Sequence, residues 1–82
     1  MPYIDQPSRD WYEPQLKQLV SLLRRDQPGH LNYLITRLIL AWLPIQPRYA
    51  DYNAVLGVLE AAKAELYRRM IGPYEDDKRD EN

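Results

Sequence analysis

Three adjacent residues near the end of the last apolar segment, Tyr67, Arg68 and Arg69, are the side chains best suited to bind a ligand. Guanidinium groups bind phosphate and carboxylate groups through paired hydrogen bonds, and a tyrosine ring offers a stacking face. Neighbouring residues on a helix point in different directions, so one arginine can serve an interface while the other meets solvent. The ordinary alternative is that both arginines simply stabilise the carboxyl end of a helix dipole.

Three residues of the preceding apolar segment, Tyr33, Thr36 and Arg37, could join the same pocket in an oligomer. Clefts between the helices of bundles are common sites for small ligands. The predicted ligand site therefore comprises Tyr33, Thr36, Arg37, Tyr67, Arg68 and Arg69, and an anionic small molecule fits its chemistry.

The other candidate reactive groups do not assemble into a catalytic set. His30 is the only histidine and has no nucleophile in a recognisable context, so we expect a structural or surface role. Glu60 and Glu65 have basic partners three or four residues further along a helix, which predicts ion pairs. The chain has no cysteine and no spacing typical of a metal site. We therefore expect no catalytic residue, no metal, no cofactor and no enzymatic activity.

The charge balance argues against a general nucleic-acid binder. Eleven basic and twelve acidic side chains give a formal net charge of −1, whereas phosphate backbones are bound by a surplus of Lys and Arg. A helix-turn-helix is also disfavoured, because the connector at 44–48 is too rich in proline for the usual tight turn. No apolar run approaches the roughly 20 residues that span a bilayer, and the first residues do not resemble a signal peptide. We expect a cytoplasmic protein with no membrane contact.

Apolar periodicity and proline punctuation predict an all-α fold, a compact three-helix domain with helices at about 10–25, 30–43 and 50–71. Asp10 and Glu13 fit a capping box at the first helix, with Pro14 in its first turn. Gly72 and Pro73 are the expected stop of the third helix. Residues 1–77 are predicted to form a single domain, and 78–82 a disordered acidic tail.

Two of the three predicted helices carry more apolar surface than one chain can cover. The second helix is apolar on nearly all sides, and the third has a second face of small residues around Gly57. A chain of this length has a marginal core, and without disulfides or metal such chains often oligomerise. The sequence therefore predicts a homo-oligomer, with interface candidates Gly57, Ala61, Ala64, Leu40, Tyr3, Ile4 and Tyr74.

Several strings of the sequence, MPYI, LNYLITRL, YADYNAVLGVLEAAKAELYRRM and PYEDDK, resemble an uncharacterised family of short phage and prokaryotic proteins, a domain of unknown function. The resemblance covers residues 1–4 and 29–78, and it carries no established activity or catalytic residue. It implies an acidic residue in many members where His30 stands here, which further disfavours a catalytic histidine. It also implies that MPYI and PYED pack on the helices or on a neighbouring subunit.

Two functions follow as hypotheses. In the first, the chain is a non-enzymatic helical oligomer; if phage-encoded, it would sequester a nucleotide-like anionic signal of host immunity in pockets between subunits. In the second, it is an adaptor or inhibitor that binds a host or phage protein through an exposed helix face. A monomer with an exposed patch at Tyr33 and Leu40 would favour the second.

Overall fold

The computed structural model describes residues 4–81, which are helical apart from the connecting turns. The elements are α1 (Gln6–Val20), α2 (Pro28–Trp42), α3 (Tyr49–Leu66), a π turn (Tyr67–Ile71) and α4 (Gly72–Glu81). No strand occurs among the described residues. The predicted all-α class with three helices is confirmed, and the third helix continues through the π turn into α4.

The first helix begins four residues earlier than predicted. The Asp5 carboxylate caps it by accepting a hydrogen bond of 3.0 Å from the Ser8 backbone N–H, and Pro7 occupies the first turn, where its missing N–H costs nothing. Hydrogen bonds from the side chain and backbone of Ser8 lower the pKa of Asp5. The capping box predicted at Asp10 is therefore wrong, and Pro14 lies inside α1.

The first helix also ends five residues earlier than predicted, at Val20 rather than Arg25. The Ser21 hydroxyl donates to the Gln18 carbonyl at 2.6 Å, which offers that carbonyl a partner outside the regular helical ladder. The next N–H groups bond only three residues back, as in Leu22 to Leu19 at 3.0 Å. The chain thus leaves α1 through tight turns, although the apolar period continues past them.

The second and third helices lie close to their predicted bounds. Pro28 is the first residue of α2, a position where a fixed φ favours helix and no N–H is needed. At the start of α3, the Asp51 carboxylate accepts a hydrogen bond of 2.9 Å from the Arg48 backbone N–H. An acidic residue in the first turn also suits the positive end of the helix dipole.

The stop predicted at Gly72 and Pro73 is wrong, because the helix widens there instead of ending. The Gly72 N–H donates to the Tyr67 carbonyl, five residues back. Proline has no N–H to donate, and in a regular helix its ring clashes with the carbonyl four residues earlier, here that of Arg69. A π turn gives that carbonyl room, so the helix continues through Pro73. Residues 78–81 end α4, and Asn82 lies outside the described range, so the disorder of 78–82 stays a prediction.

The chain divides into two structural units, residues 1–42 and 43–82. No described residue is buried, and large apolar side chains are exposed in both units. These exposures are those of the whole chain, and removing one unit can only increase the exposure of the other. Neither unit therefore has a buried core of its own. The compact core predicted for the three helices is therefore not found within either unit, and the single domain over 1–77 stays a prediction.

Candidate functional site

The arginine pair lies where α3 passes into the π turn, and both arginines contact one carboxylate. Arg68 Nη2 lies 2.8 Å from Glu65 Oε1 and 3.0 Å from Oε2. Arg69 Nε contacts Oε1 of the same carboxylate. The pKa of Glu65 is lowered to about 2, and the largest cause is the hydrogen bond from Arg68, so the carboxylate is charged at neutral pH. The ion pairs predicted for Glu65 are confirmed.

The π turn also determines which side chain lies beside Tyr67. Residues eight apart on a regular α-helix are rotated by roughly 80° from each other, so they do not face the same way. A turn that contains one extra residue and the normal turn after it together hold about eight residues, so residues eight apart across a π turn face the same way. The Tyr67 hydroxyl accordingly donates to the Glu75 carboxylate at 3.4 Å. The sequence prediction missed this pair because it ended the helix at Gly72.

The second group of candidate ligand residues lies on α2. The Arg37 Nη1 donates to the Tyr33 hydroxyl at 2.8 Å, and its guanidinium carbon is 5.7 Å from the ring centroid. This places the cation near the hydroxyl end of the ring. The Thr36 hydroxyl donates to the Asn32 side chain at 3.4 Å, a long contact. These residues belong to the first unit and the arginine pair to the second, so the pocket predicted to join them stays a prediction.

The arginine pair combines positive charge with accessibility. The side chains of Arg68 and Arg69 are 64% and 59% exposed, whereas that of Glu65 is 19% exposed. Accessible guanidiniums can form paired hydrogen bonds with a phosphate or carboxylate. An incoming anion would have to share these donors with Glu65. Acidic residues of α4 follow directly at 75–77, which makes the local field mixed in sign.

The predicted interface residues are accessible where the structure describes them. Leu40, Ile4 and Tyr74 are exposed, and Lys78 Nζ lies 5.7 Å from the Tyr74 ring centroid. Ala64 is exposed and Ala61 half-buried. A Cβ added at Gly57 would meet nothing within 4 Å, so the close approach predicted there is not made by the described part of the chain. Tyr3 lies outside the described residues.

Two apolar grooves in the first unit were not predicted as sites. The smaller, of about 270 Å³, is lined by Leu19, Leu22, Leu23, Gly29, His30, Tyr33 and Leu34. The larger, of about 520 Å³, is lined by Ile4, Arg9, Tyr12, Glu13, Gln15, Leu16, Leu19 and Leu38. His30 therefore borders an apolar groove. The sequence signal for these grooves is the apolar spacing on α1 and α2, which is also typical of helices that pack in a core.

Two further ion pairs of the second unit lie at the surface. Lys63 lies 3.8 Å from Glu60, and Arg79 lies 3.1 Å from Asp76. The ion pair predicted for Glu60 is confirmed. Among the side chains that the structure describes, no cluster of three or more acidic, histidine or cysteine residues could hold a metal ion. None of the described helices is long and apolar enough to cross a membrane.

A family model described as a domain of unknown function, DUF6899, matches residues 1–82. The chain therefore belongs to this family, as its sequence strings indicated. No curated protein and no solved structure matches the chain.

Proposed function

We propose that this member of the family is a non-enzymatic binding protein that acts as a subunit of a homo-oligomer. One observation carries the proposal: neither unit of the chain has a buried residue, while large apolar side chains are exposed along the helices. Apolar surface in water is unfavourable by roughly 25 cal/mol per Å². A protein surface that covers these faces would stabilise the helices and the assembly together.

A second copy of the chain is the simplest cover. A domain near this length is only marginally stable alone, and small domains compensate with disulfides, metals or oligomerisation. The chain has no cysteine, and its described residues hold no metal-binding cluster. Closed symmetric oligomers are the usual form of such assemblies.

Light scattering coupled to size exclusion tests the oligomer directly. We expect a mass of two or more whole chains of 9.8 kDa at micromolar concentration. A mass of one chain would overturn the homo-oligomer. That result would favour the adaptor function instead, since Tyr33 and Leu40 are both exposed and lie seven residues apart on α2.

The second candidate function is capture of an anionic, nucleotide-like small molecule between subunits. Two accessible guanidiniums beside the tyrosine at 67 favour it, because phosphate groups pair with arginine and bases stack on aromatic rings. Symmetric contacts between copies would create several such pockets from one short chain. If the chain is phage-encoded, the ligand would be a signal of host immunity.

Calorimetry with cyclic nucleotides and ADP-ribose derivatives tests the anion site. We expect heat with at least one ligand, and an affinity at least tenfold lower in Arg68→Ala. Arg79→Ala is the matched control, since Arg79 also pairs with an acid three residues earlier. No heat with any ligand, or equal losses in both variants, would overturn the assignment of this site.

A further inference from the structure

A continuous line of exposed apolar side chains runs along α2. Its residues Leu31, Ile35, Leu38 and Trp42 follow each other at intervals of four, three and four, and they are 39–65% exposed. At about 100° per residue they fall within a narrow arc of the helix. This alternation of three and four residues is the one by which helices interlock side by side. We call these four residues the α2 seam.

A line with the same spacing runs along α1 and the turn that follows it: Tyr12, Leu16, Leu19 and Leu23. Leu19, Leu23 and Leu34 are half-buried and line the smaller groove, so the end of α1 and the turn after it approach α2 there. Tyr12 and Leu16 are exposed. The first unit therefore leaves an open apolar surface along α1.

The two grooves indicate the directions of α1 and α2. The smaller groove joins the turn after α1 to the start of α2, from Leu23 to His30. The larger groove runs along α1 from Arg9 to Leu19 and includes one residue of α2, Leu38. Because Leu38 lies in the second half of α2, the two helices run in roughly opposite directions. Two antiparallel helices with open apolar lines are half of a four-helix bundle.

We propose that the α1–α2 hairpin of one chain packs against the same hairpin of a second copy, with the α2 seam and the larger groove at the centre of the contact. The inference rests on the proposed homo-oligomer and names the surface that forms it. A two-fold contact places the same patch on both partners. Each copy supplies both protruding side chains and a groove that receives them, so the surface is complementary to itself.

The area needed for a stable pair requires both helices rather than α2 alone. A standard interface buries about 800 Å² per partner and uses roughly 20–30 residues on each side. α1 and α2 contain 15 residues each, and a single helix of that length is about 22 Å long. The face of α2 alone is too small, and adding the face of α1 and Ile4 roughly doubles it.

The charges of this surface also fit a second copy. Arg37 is the only lysine, arginine or acidic residue of α2, and it lies on the side of the helix away from the seam. The larger groove is bordered by one basic and one acidic residue, Arg9 and Glu13. In a two-fold arrangement each copy can offer its acid to the other's base.

The test compares two leucines of α2 in the full chain by light scattering. Leu38 and Leu40 are 65% and 60% exposed, and they point about 160° apart around the helix. Leu38→Glu places a charge in the seam, and Leu40→Glu places the same charge on the other side. We expect the mass of Leu38→Glu to fall to half of the wild-type mass or less. We expect Leu40→Glu to keep the wild-type mass.

Circular dichroism separates loss of assembly from loss of helix. If Leu38→Glu loses its helices, Leu38→Cys and Leu40→Cys decide the question, because the chain has no other cysteine. We expect a short bis-maleimide to link Leu38→Cys into covalent dimers several times faster than Leu40→Cys. Equal linking, an unchanged mass in a helical Leu38→Glu, or an equal fall in both glutamate variants would overturn the inference. A monomeric wild type would overturn the proposed function as well, which distinguishes the two failures.

Discussion

At the scale of single residues, Glu65 is the group that organises the candidate anion site. One carboxylate accepts hydrogen bonds from Arg68 and contacts Arg69. The nearby pair of Glu60 and Lys63 is separated by 3.8 Å and is largely exposed, and such pairs contribute little. The arginines are therefore positioned before any ligand arrives, and a ligand must compete with Glu65 for them.

Acid titration should reveal the Glu65 pairs. The pKa of Glu65 is lowered from an ordinary 4.5 to about 2, so its contribution to stability is complete above about pH 4.5. It is lost as the pH falls towards 2. We expect Glu65→Gln to lower the thermal midpoint at pH 7, and the difference from the wild type to shrink near pH 2, as measured by circular dichroism.

Glu60→Gln is the matched control for this titration, since it removes an acid from the same helix. Its effect at pH 7 should be smaller, because the Glu60 pair is longer and more exposed. Equal effects of the two substitutions at every pH would contradict the role assigned to Glu65.

At the scale of elements, local signals predicted which segments are helical, and competing local signals decided where the ends lie. The apolar period and the proline at 44 predicted α2 to within two residues. The start of α1 was missed because either Asp5 or Asp10 could cap the first helix. The hydrogen bond from the Ser8 backbone to Asp5, which the structure shows, identifies Asp5 as the cap. The helix beyond Gly72 was missed because a glycine followed by proline usually ends a helix.

The ion pairs of Glu65 followed from spacing alone, whereas the Tyr67–Glu75 contact depends on a turn that spacing does not indicate.

Replacing Pro73 tests the cause of the π turn. Pro73→Ala restores an N–H and removes the ring, so we expect a regular α-helix from Tyr49 onward and loss of the Tyr67–Glu75 contact. Proline costs about 3 kcal/mol relative to alanine inside a helix, and the stability of the helix should rise by up to that amount. Backbone chemical shifts and amide exchange at residues 67–75 measure the change.

Pro14→Ala provides the comparison, because Pro14 also lies inside a helix. It should raise stability while leaving the signals of residues 67–75 unchanged. A π turn that persists in Pro73→Ala would show that Pro73 does not cause it.

The glycine inside α3 gives an independent test of the predicted interface. A Cβ at Gly57 meets open space, so Gly57→Ala should stabilise the helix by roughly 1 kcal/mol, as measured by thermal melting. The mass of the oligomer should stay unchanged if the α1–α2 surface forms the contact. A lower mass would instead place a partner's backbone against Gly57.

At the scale of the whole molecule, the feature that matters most is the absence of a buried residue from the described parts of both units. The sequence indicated a surplus of apolar surface on two helices. It did not indicate that the first unit would leave an open surface along α1 as well. Periodicity reports which side chains share a face, but it does not report whether that face is covered by the same chain or by another.

Thermal unfolding should therefore depend on protein concentration. When folding and assembly are linked, each tenfold increase in protein concentration favours the associated state by about 1.4 kcal/mol for each association step. We expect the midpoint to rise by a few degrees per decade of concentration in the wild type. Leu38→Glu should lose this dependence, while Leu40→Glu should keep it. A wild-type midpoint that is the same at every concentration would contradict the prediction.

The π turn also determines the direction in which the side chains after it point around the helix axis. One additional residue in a single turn rotates all later residues by about 100° around the axis, compared with an uninterrupted α-helix. If the turn closed to a regular α-helix without a deletion, as expected for Pro73→Ala, the acidic residues at 75–77 would turn by about 100° around the axis. Deleting one residue from 67–71 as well would bring them back to the side that they face now. Helix content would hardly change. The direction in which this charged end points is thus determined by a count of residues in the chain.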